Sequence, residues 1–214
     1  MIIGSKIILR DKKLADAPHD YTWRTDPELA QLDAAPLLKI TFPQYLLEYT
    51  SELCYSSLIR HRFSIQTLDG KHIGNCLYYD INETRGEAEL GIMIGNRDYW
   101  DKGYGADAVT TLLSYIFRQT KLDRIYLKTL ESNHRAQKCF QKCGFTPCGH
   151  LFRDGYSFVL MEINRKQQQQ QWAENENLWG HLLGKHVLGK NELGKYVLGV
   201  NVLGKNEGAK PLQK

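Results

Sequence analysis

The chain changes character at residue 166, and that break limits how much of it can fold. Residues 167–171 are five consecutive glutamines, and a LeuGly pair then recurs at 183/184, 188/189, 193/194, 198/199 and 203/204. A period of five matches neither the helical repeat of about 3.6 nor the strand repeat of two. Each unit also carries a glycine, which costs a helix about 1 kcal/mol relative to alanine. Five such short units fall well below the roughly 20 to 50 residues of solenoid repeats. Residues 167–214 therefore read as a low-complexity extension, expected to be flexible and outside the chemistry, with oligomerisation or scaffolding as a candidate role. Residues 1–166 are left to form one domain around one core.

Charge and composition exclude several classes. The net charge of +4 is small, and the tail's six lysines and four acids account for half of it, so no nucleic-acid partner is expected. No apolar run reaches the roughly 18 residues of a membrane span, and the start MIIGSKIILRDKK is too short and too interrupted by charge for a secretory signal. Five cysteines, an odd number, argue for free thiols in a reducing compartment, and the expected location is the cytoplasm. Cys139, Cys143, Cys148 and His150 do not form a metal-binding pattern, since no paired CxxC occurs, and no metal is expected.

The patterning of residues 1–166 predicts an α+β fold. Lys6 to Arg10 reads as a strand, Asp16 to Asp26 as a helix capped by Asp16 with Pro18 in its first turn, and Pro43 to Arg60 as a second helix. Phe63 to Leu68 and Ile73 to Ile81 flank the turn signal Asp69-Gly70, and Glu87 to Ile94 follows, giving an antiparallel meander. A helix from Gly103 to Thr120, a strand at Arg124 to Leu130, a helix capped by Ser132 and ended by Gly144, and two strands joined around Asp154-Gly155 complete the domain. The expected architecture is a mixed, mostly antiparallel sheet of about seven strands flanked by helices.

Two segments could carry chemistry. Tyr99-Trp100-Asp101-Lys102-Gly103-Tyr104-Gly105-Ala106 lies between a strand and a helix, where glycines let backbone approach a ligand and a helix start presents free amide donors to an anion. Gly103, Gly105 and Ala108 satisfy the dinucleotide spacing, but they follow an antiparallel meander and do not open a βαβ unit; a Walker-type GlyLysSer or GlyLysThr is absent. The second segment runs from Asn133-His134-Arg135-Ala136 to Lys142-Cys143-Gly144-Phe145.

Taken in order, the GluLeuGly strand, the glycine loop, the strand and then NHRAQKCFQKCGF resemble the GNAT family of N-acetyltransferases over about residues 5 to 164. The Tyr99-Trp100 pair is most similar to the branch of ribosomal-protein N-terminal acetyltransferases and their small-molecule-acetylating relatives. The resemblance implies the acyl-CoA N-acyltransferase fold and acetyl-CoA as co-substrate. It implies that Lys102, Gly103, Tyr104, Gly105 and Ala106 hold the pyrophosphate, that Ile92, Met93 and Ile94 lie beside the pantetheine arm, and that Asn133 contacts it. Where many family members carry a tyrosine acid, this sequence has Phe140, leaving Cys139 as a substitute donor or a packing residue.

Amine acetylation also needs a proton acceptor, because an alkyl ammonium has a pKa of about 10.4. Glu87 and Glu89 share one strand face, and the family's carboxylate on this strand makes Glu89 the first candidate and Glu87 the second. Trp23, Arg24, Tyr78, Tyr79, Arg153 and Tyr156 are candidates for acceptor recognition. The expected reaction is direct transfer in a ternary complex, from acetyl-CoA to a primary amine of a small molecule or a protein N-terminus. A non-catalytic CoA-binding or interaction module is the alternative, and a homodimer is left open.

Overall fold

The sheet is built by short turns that sequence alone specifies. Gly70 adopts φ +93° in the turn between β3 (Arg60–Thr67) and β4 (His72–Asn82), and Gly86 (φ +65°) leads into β5 (Glu87–Ile94). The computed structural model describes residues 1–55, 59–170 and 173; the LeuGly repeats lie outside the described residues. Around the meander, β1 (Ile2–Ile3), β2 (Ile7–Arg10), β6 (Arg124–Leu130), β7 (Thr146–Arg153) and β8 (Tyr156–Asn164) complete an eight-stranded sheet in the order β1-β2-β3-β4-β5-β6-β8-β7. Every neighbouring pair is antiparallel except β5–β6. The strand beyond the expected seven is β1, which pairs back on β2 through Ile2 and Leu9.

One face of the sheet is covered by α4 (Tyr104–Gln119), whose Ala108, Val109, Leu112, Leu113, Ile116 and Phe117 are buried at helical spacing. They join Ile7, Leu9, Ile65, Ala88, Leu90, Ile125, Leu127 and Met161 in one core. Since side chains alternate along β5, the burial of Ala88 and Leu90 against α4 sends Glu87, Glu89 and Gly91 to the opposite face.

A buried polar cluster fixes α1 (Ala17–Arg24) and α3 (Phe42–Cys54) to the sheet. Asp16 accepts two hydrogen bonds from the Arg10 guanidinium (2.8 and 2.7 Å) and one from Ser64 (2.8 Å). Asp20 is bonded by Lys12, Asn75 and the Tyr49 hydroxyl. His72 lies against both carboxylates, its Nδ1 3.6 Å from Asp16; its Nε2 donates to the Gly74 carbonyl at 2.9 Å, and buried Nδ1 has no hydrogen-bond partner among the described residues. Asp16 is thus drawn away from capping α1 by a buried guanidinium.

Three further boundaries differ from the sequence reading. The second helix ends at Cys54 and not Arg60, because Arg60 enters the ladder opposite Tyr79. Asn133, not Ser132, caps α5 (His134–Lys142), accepting from the Ala136 amide at 3.1 Å. An unexpected helix, α2 (Pro27–Leu32), starts at an Asp26 cap that accepts the Glu28 and Leu29 amides. At the other end, residues 165–170 are helical and Gln168 is buried, so the first folded unit, Met1–Gln171, continues past the compositional break.

Candidate active site

The cleft exists because the sheet splits. β5 and β6 pair at Glu87–Arg124, Ala88–Ile125 and Glu89–Tyr126, and there the parallel ladder ends. Beyond it β5 stays with β4 to Ile94, while β6 stays with β8 to Leu130. The facing edges of residues 90–94 and 127–130 therefore present backbone donors and acceptors that the sheet does not use. Over this split opens a cavity of about 530 Å³, a volume suited to a ligand the size of a cofactor arm.

Of the residues singled out in the sequence, Ile92, Met93, Ile94, Gly103, Gly105, Ala106 and Asn133 line this cavity; Lys102 and Tyr104 flank it in sequence without being part of its lining. Gly103 occupies the position before α4 with φ +83°, and α4 has no side-chain cap, so the amides of its first turn keep their hydrogen-bonding capacity for a ligand. The loop is anchored by Trp100, whose indole N–H donates to the Ile94 carbonyl at 2.6 Å. The Arg135 guanidinium stacks 3.4 Å from the Trp100 ring centre. Lys6 donates to the Lys102 carbonyl and lies over Tyr104.

Close backbone approaches hold the end of β5. A Cβ on Gly74 would overlap the Met93 carbonyl, and one on Gly95 would sit inside the Trp23 ring. Trp23, a candidate for acceptor contact by sequence, is instead a buried prop for the strand end, packed on Gly95 and His72.

The α5 wall contributes Arg135, Lys138, Lys142, Cys139 and Phe140. Three cations on one wall suit a polyanionic ligand. Phe140 packs edge-on to Phe145 and offers no proton. The hydrogen bond from the Cys143 thiol draws the Cys139 thiol below its ordinary pKa; burial opposes this shift, and Lys142 and Arg135 reinforce it. Cys143, as the donor of that pair, is pushed up.

Glu87 and Glu89 are not part of the cavity lining. Glu87 pairs with Arg124 at 2.6 Å, and Arg124 also holds Glu162. Glu89 is buried at the last paired position before the split, where it accepts from the Tyr79 hydroxyl at 2.6 Å and meets Lys128 at 3.0 Å. Burial, and then this hydrogen bond to Glu89, push the Tyr79 phenol far above its ordinary pKa. Tyr78 is buried and stacked on His61, and Tyr156 belongs to a separate, shallow pocket with Ser132 and His134. Sequence reasoning missed Leu29, Leu32 and Asp33, which α2 and its C-terminal residue bring to the cleft.

The acetyltransferase (GNAT) domain family matches residues 6–146, most of the folded unit. The chain belongs to the GNAT family. It is an acetyl-CoA dependent N-acetyltransferase with the acyl-CoA N-acyltransferase fold. It is 28% identical over 151 residues to an uncharacterized N-acetyltransferase, p20, of Bacillus licheniformis, an alignment covering 70% of this chain and 83% of that protein. With spermidine N(1)-acetyltransferase of Vibrio cholerae it shares 29% identity over 93 residues, 44% of this chain and 53% of the relative. Among solved structures, the Vibrio cholerae spermidine N-acetyltransferase in complex with CoA and spermine superposes with a TM-score of 0.69 at 22% identity, covering 77% of this chain and 99% of that one. An aminoglycoside acetyltransferase in complex with coenzyme A gives 0.64 at 21% identity, covering 78% and 99%.

This GNAT cleft suits coenzyme A on its own chemistry. The uncapped start of α4 offers amides to a pyrophosphate, the split offers main-chain groups to an amide-bearing arm, and the α5 cations offer charge to the remaining phosphate.

Proposed function

We propose that this enzyme acetylates a primary amine of a small cationic molecule of the polyamine or aminoglycoside type, by direct attack within a ternary complex. The observation that carries the reading is one cleft whose α5 wall is cationic while its α2 side adds aliphatic residues and one carboxylate, Asp33, so that donor and acceptor share one space. The relatives named for spermidine and spermine support a small-molecule acceptor; a protein N-terminus, which only the Tyr99-Trp100 resemblance in the sequence implies, is the second reading.

Acetyl-CoA, when bound, supplies the acyl group as a thioester. In our reading the first-turn amides of α4 and the basic α5 wall bind its phosphates, Ile92, Met93 and Ile94 orient its arm by main-chain contacts, and Asn133 borders it. Glu89 takes a proton from the acceptor's ammonium through the Tyr79 hydroxyl, which frees the neutral amine to attack, while Lys128 pairs with the buried carboxylate at 3.0 Å. Phe140 gives no proton to the departing thiolate; a thiol of ordinary pKa about 8.5 leaves without one, and Cys139 is a thiol on that wall.

Thiol release from acetyl-CoA, measured across a panel of polyamines, aminoglycosides and N-terminal peptides, tests the proposal. Release with the small polycations and product formed only when both substrates are present together is the expected result. Release with peptides alone favours the second reading, and CoA binding with no release on any amine favours a non-catalytic module.

A further inference from the structure

We propose that Lys6, at the tip of the β1–β2 hairpin, is a positioning residue of the donor site: it holds the peptide plane between Lys102 and Gly103 so that the Gly103 amide faces the pyrophosphate of CoA. This rests on the reading that the glycine loop binds that pyrophosphate.

One carboxylate ties the hairpin to the start of α4. Asp107, in the first turn of α4, accepts hydrogen bonds from the Ser5 amide (3.0 Å), the Ser5 hydroxyl (2.6 Å), the Lys6 amide (2.7 Å) and the Ile7 amide (3.1 Å). The Gly4 amide closes the turn on the Ile7 carbonyl at 2.8 Å. A Cβ on Gly4 would lie 2.6 Å from both Asp107 Oδ2 and Thr111 Oγ1, so the hairpin seats this closely only with glycine there.

From that tip the Lys6 ammonium donates to the Lys102 carbonyl at 3.0 Å and lies over the Tyr104 ring. Lys6 is not part of the cleft lining, so it acts through the loop. The Lys102 carbonyl and the Gly103 N–H belong to one planar trans peptide and point in opposite directions. Holding the carbonyl from outside therefore aims the Gly103 amide away from Lys6, and Gly103 lines the cleft. The loop needs such a hold, because Asp101 (φ +56°) and Gly103 (φ +83°) flank Lys102 in left-handed conformations, the first of them disfavoured for a residue with Cβ. The same contacts answer a charge problem. A free carboxylate in the first turn of an anion-binding helix repels the anion; here the hairpin tip engages both Asp107 oxygens, and the Lys6 ammonium stands beside the loop.

Calorimetric titration of CoA into the full chain tests the assignment with two variants. Lys6→Met keeps the aliphatic stem over Tyr104 and removes the donor, whereas Lys6→Arg keeps a charged donor. Lys6→Met is expected to raise the Kd for CoA about 3-fold to 10-fold at unchanged Tm, and Lys6→Arg to hold it within about twofold of wild type. Pantetheine, which carries the arm without the phosphates, should bind wild type and Lys6→Met alike. Wild-type CoA affinity in Lys6→Met, a loss that arginine does not restore, or an equal loss for pantetheine overturns the role of Lys6. Gly105→Val, which places a branched side chain in the loop, is the control on the underlying reading. CoA binding weakened by Gly105→Val and not by Lys6→Met removes Lys6 alone, whereas binding indifferent to both variants removes the loop assignment as well.

Discussion

At the scale of single residues, Glu89 and Cys139 carry the chemistry that can be tested. Glu89 is buried 3.0 Å from the Lys128 ammonium and bonded to the Tyr79 hydroxyl, which puts one carboxylate at the end of a hydrogen-bonded path. Glu89→Gln should therefore lower kcat by about 10-fold to 100-fold near neutral pH, at the low end of general-base effects, while the Kd for CoA is unchanged. Unaltered turnover removes Glu89 from the mechanism. For Cys139, a half-buried thiol of lowered pKa in the cofactor cleft should be alkylated by iodoacetamide at neutral pH and protected by CoA. Exposed Cys54 and Cys148 should react equally with and without CoA, and peptide mass spectrometry distinguishes them; alkylation of Cys139 that is indifferent to CoA places the thiol away from the ligand. That Glu89 and Glu87 share a face was readable from alternation, but their partners were not. Tyr79 lies ten positions away across β4, Lys128 lies across the parallel pair, and no local pattern brings them together.

At the scale of elements, two features position the cleft from outside it. The first is the contact between α1 and the end of β5. Gly95→Ala would drive a methyl group into the Trp23 ring, so it should destabilise the fold by about 1 to 3 kcal/mol and weaken CoA binding, because the residue follows Ile94 directly. A fully stable variant with wild-type CoA affinity would show that Trp23 moves freely. The second is the His72 cluster. Burial draws the His72 pKa below its ordinary value, with Asp20 and Asp16 opposing, so the folded protein takes up a proton less readily than the unfolded chain. Stability is full above about pH 6.5 and is lost as pH falls below it, by at most about 1.4 kcal/mol per pH unit from this group. Asp16 acts in the same sense further into acid. Burial alone would raise it, but the bonds from Arg10, the Lys13 amide and Ser64 hold it well below the carboxylate range. Replacing His72 by Gln, whose amide can still donate to Gly74, should flatten the dependence of Tm on pH between 7 and 5; an unchanged slope would assign it elsewhere. The meander was legible because Asp69-Gly70 names its own turn. The cluster was not, since Asp16 reads locally as a helix cap and only the fold brings it to Arg10 and His72.

At the scale of the whole molecule, the break at residue 166 and the end of the folded unit do not coincide, and the difference has a physical cause. Arg165 donates to the carbonyls of Phe117, Thr120 and Leu122, groups at and just beyond the C-terminal end of α4, and its Nε meets Asp123 at 2.9 Å. Those carbonyls need donors at a helix end, and the chain supplies one from just past its last strand. Gln168 is buried three residues later, so part of the glutamine run serves the fold although its composition reads as linker. Composition reports the average character of a segment, whereas the boundary of a fold depends on which particular side chain finds a partner. A chain cut after Gln171 should keep the Tm and CoA affinity of the full chain, because every described core and cleft residue precedes that point. A chain cut after Asn164 should lose about 3 kcal/mol or more, as several charge-assisted hydrogen bonds to helix-end carbonyls disappear. Equal stability of the two truncations would mean that Arg165 is replaceable by water. A smaller solution mass for the Gln171 truncation than its shorter sequence accounts for would assign oligomerisation to residues 172–214; an unchanged subunit number would remove that role from them.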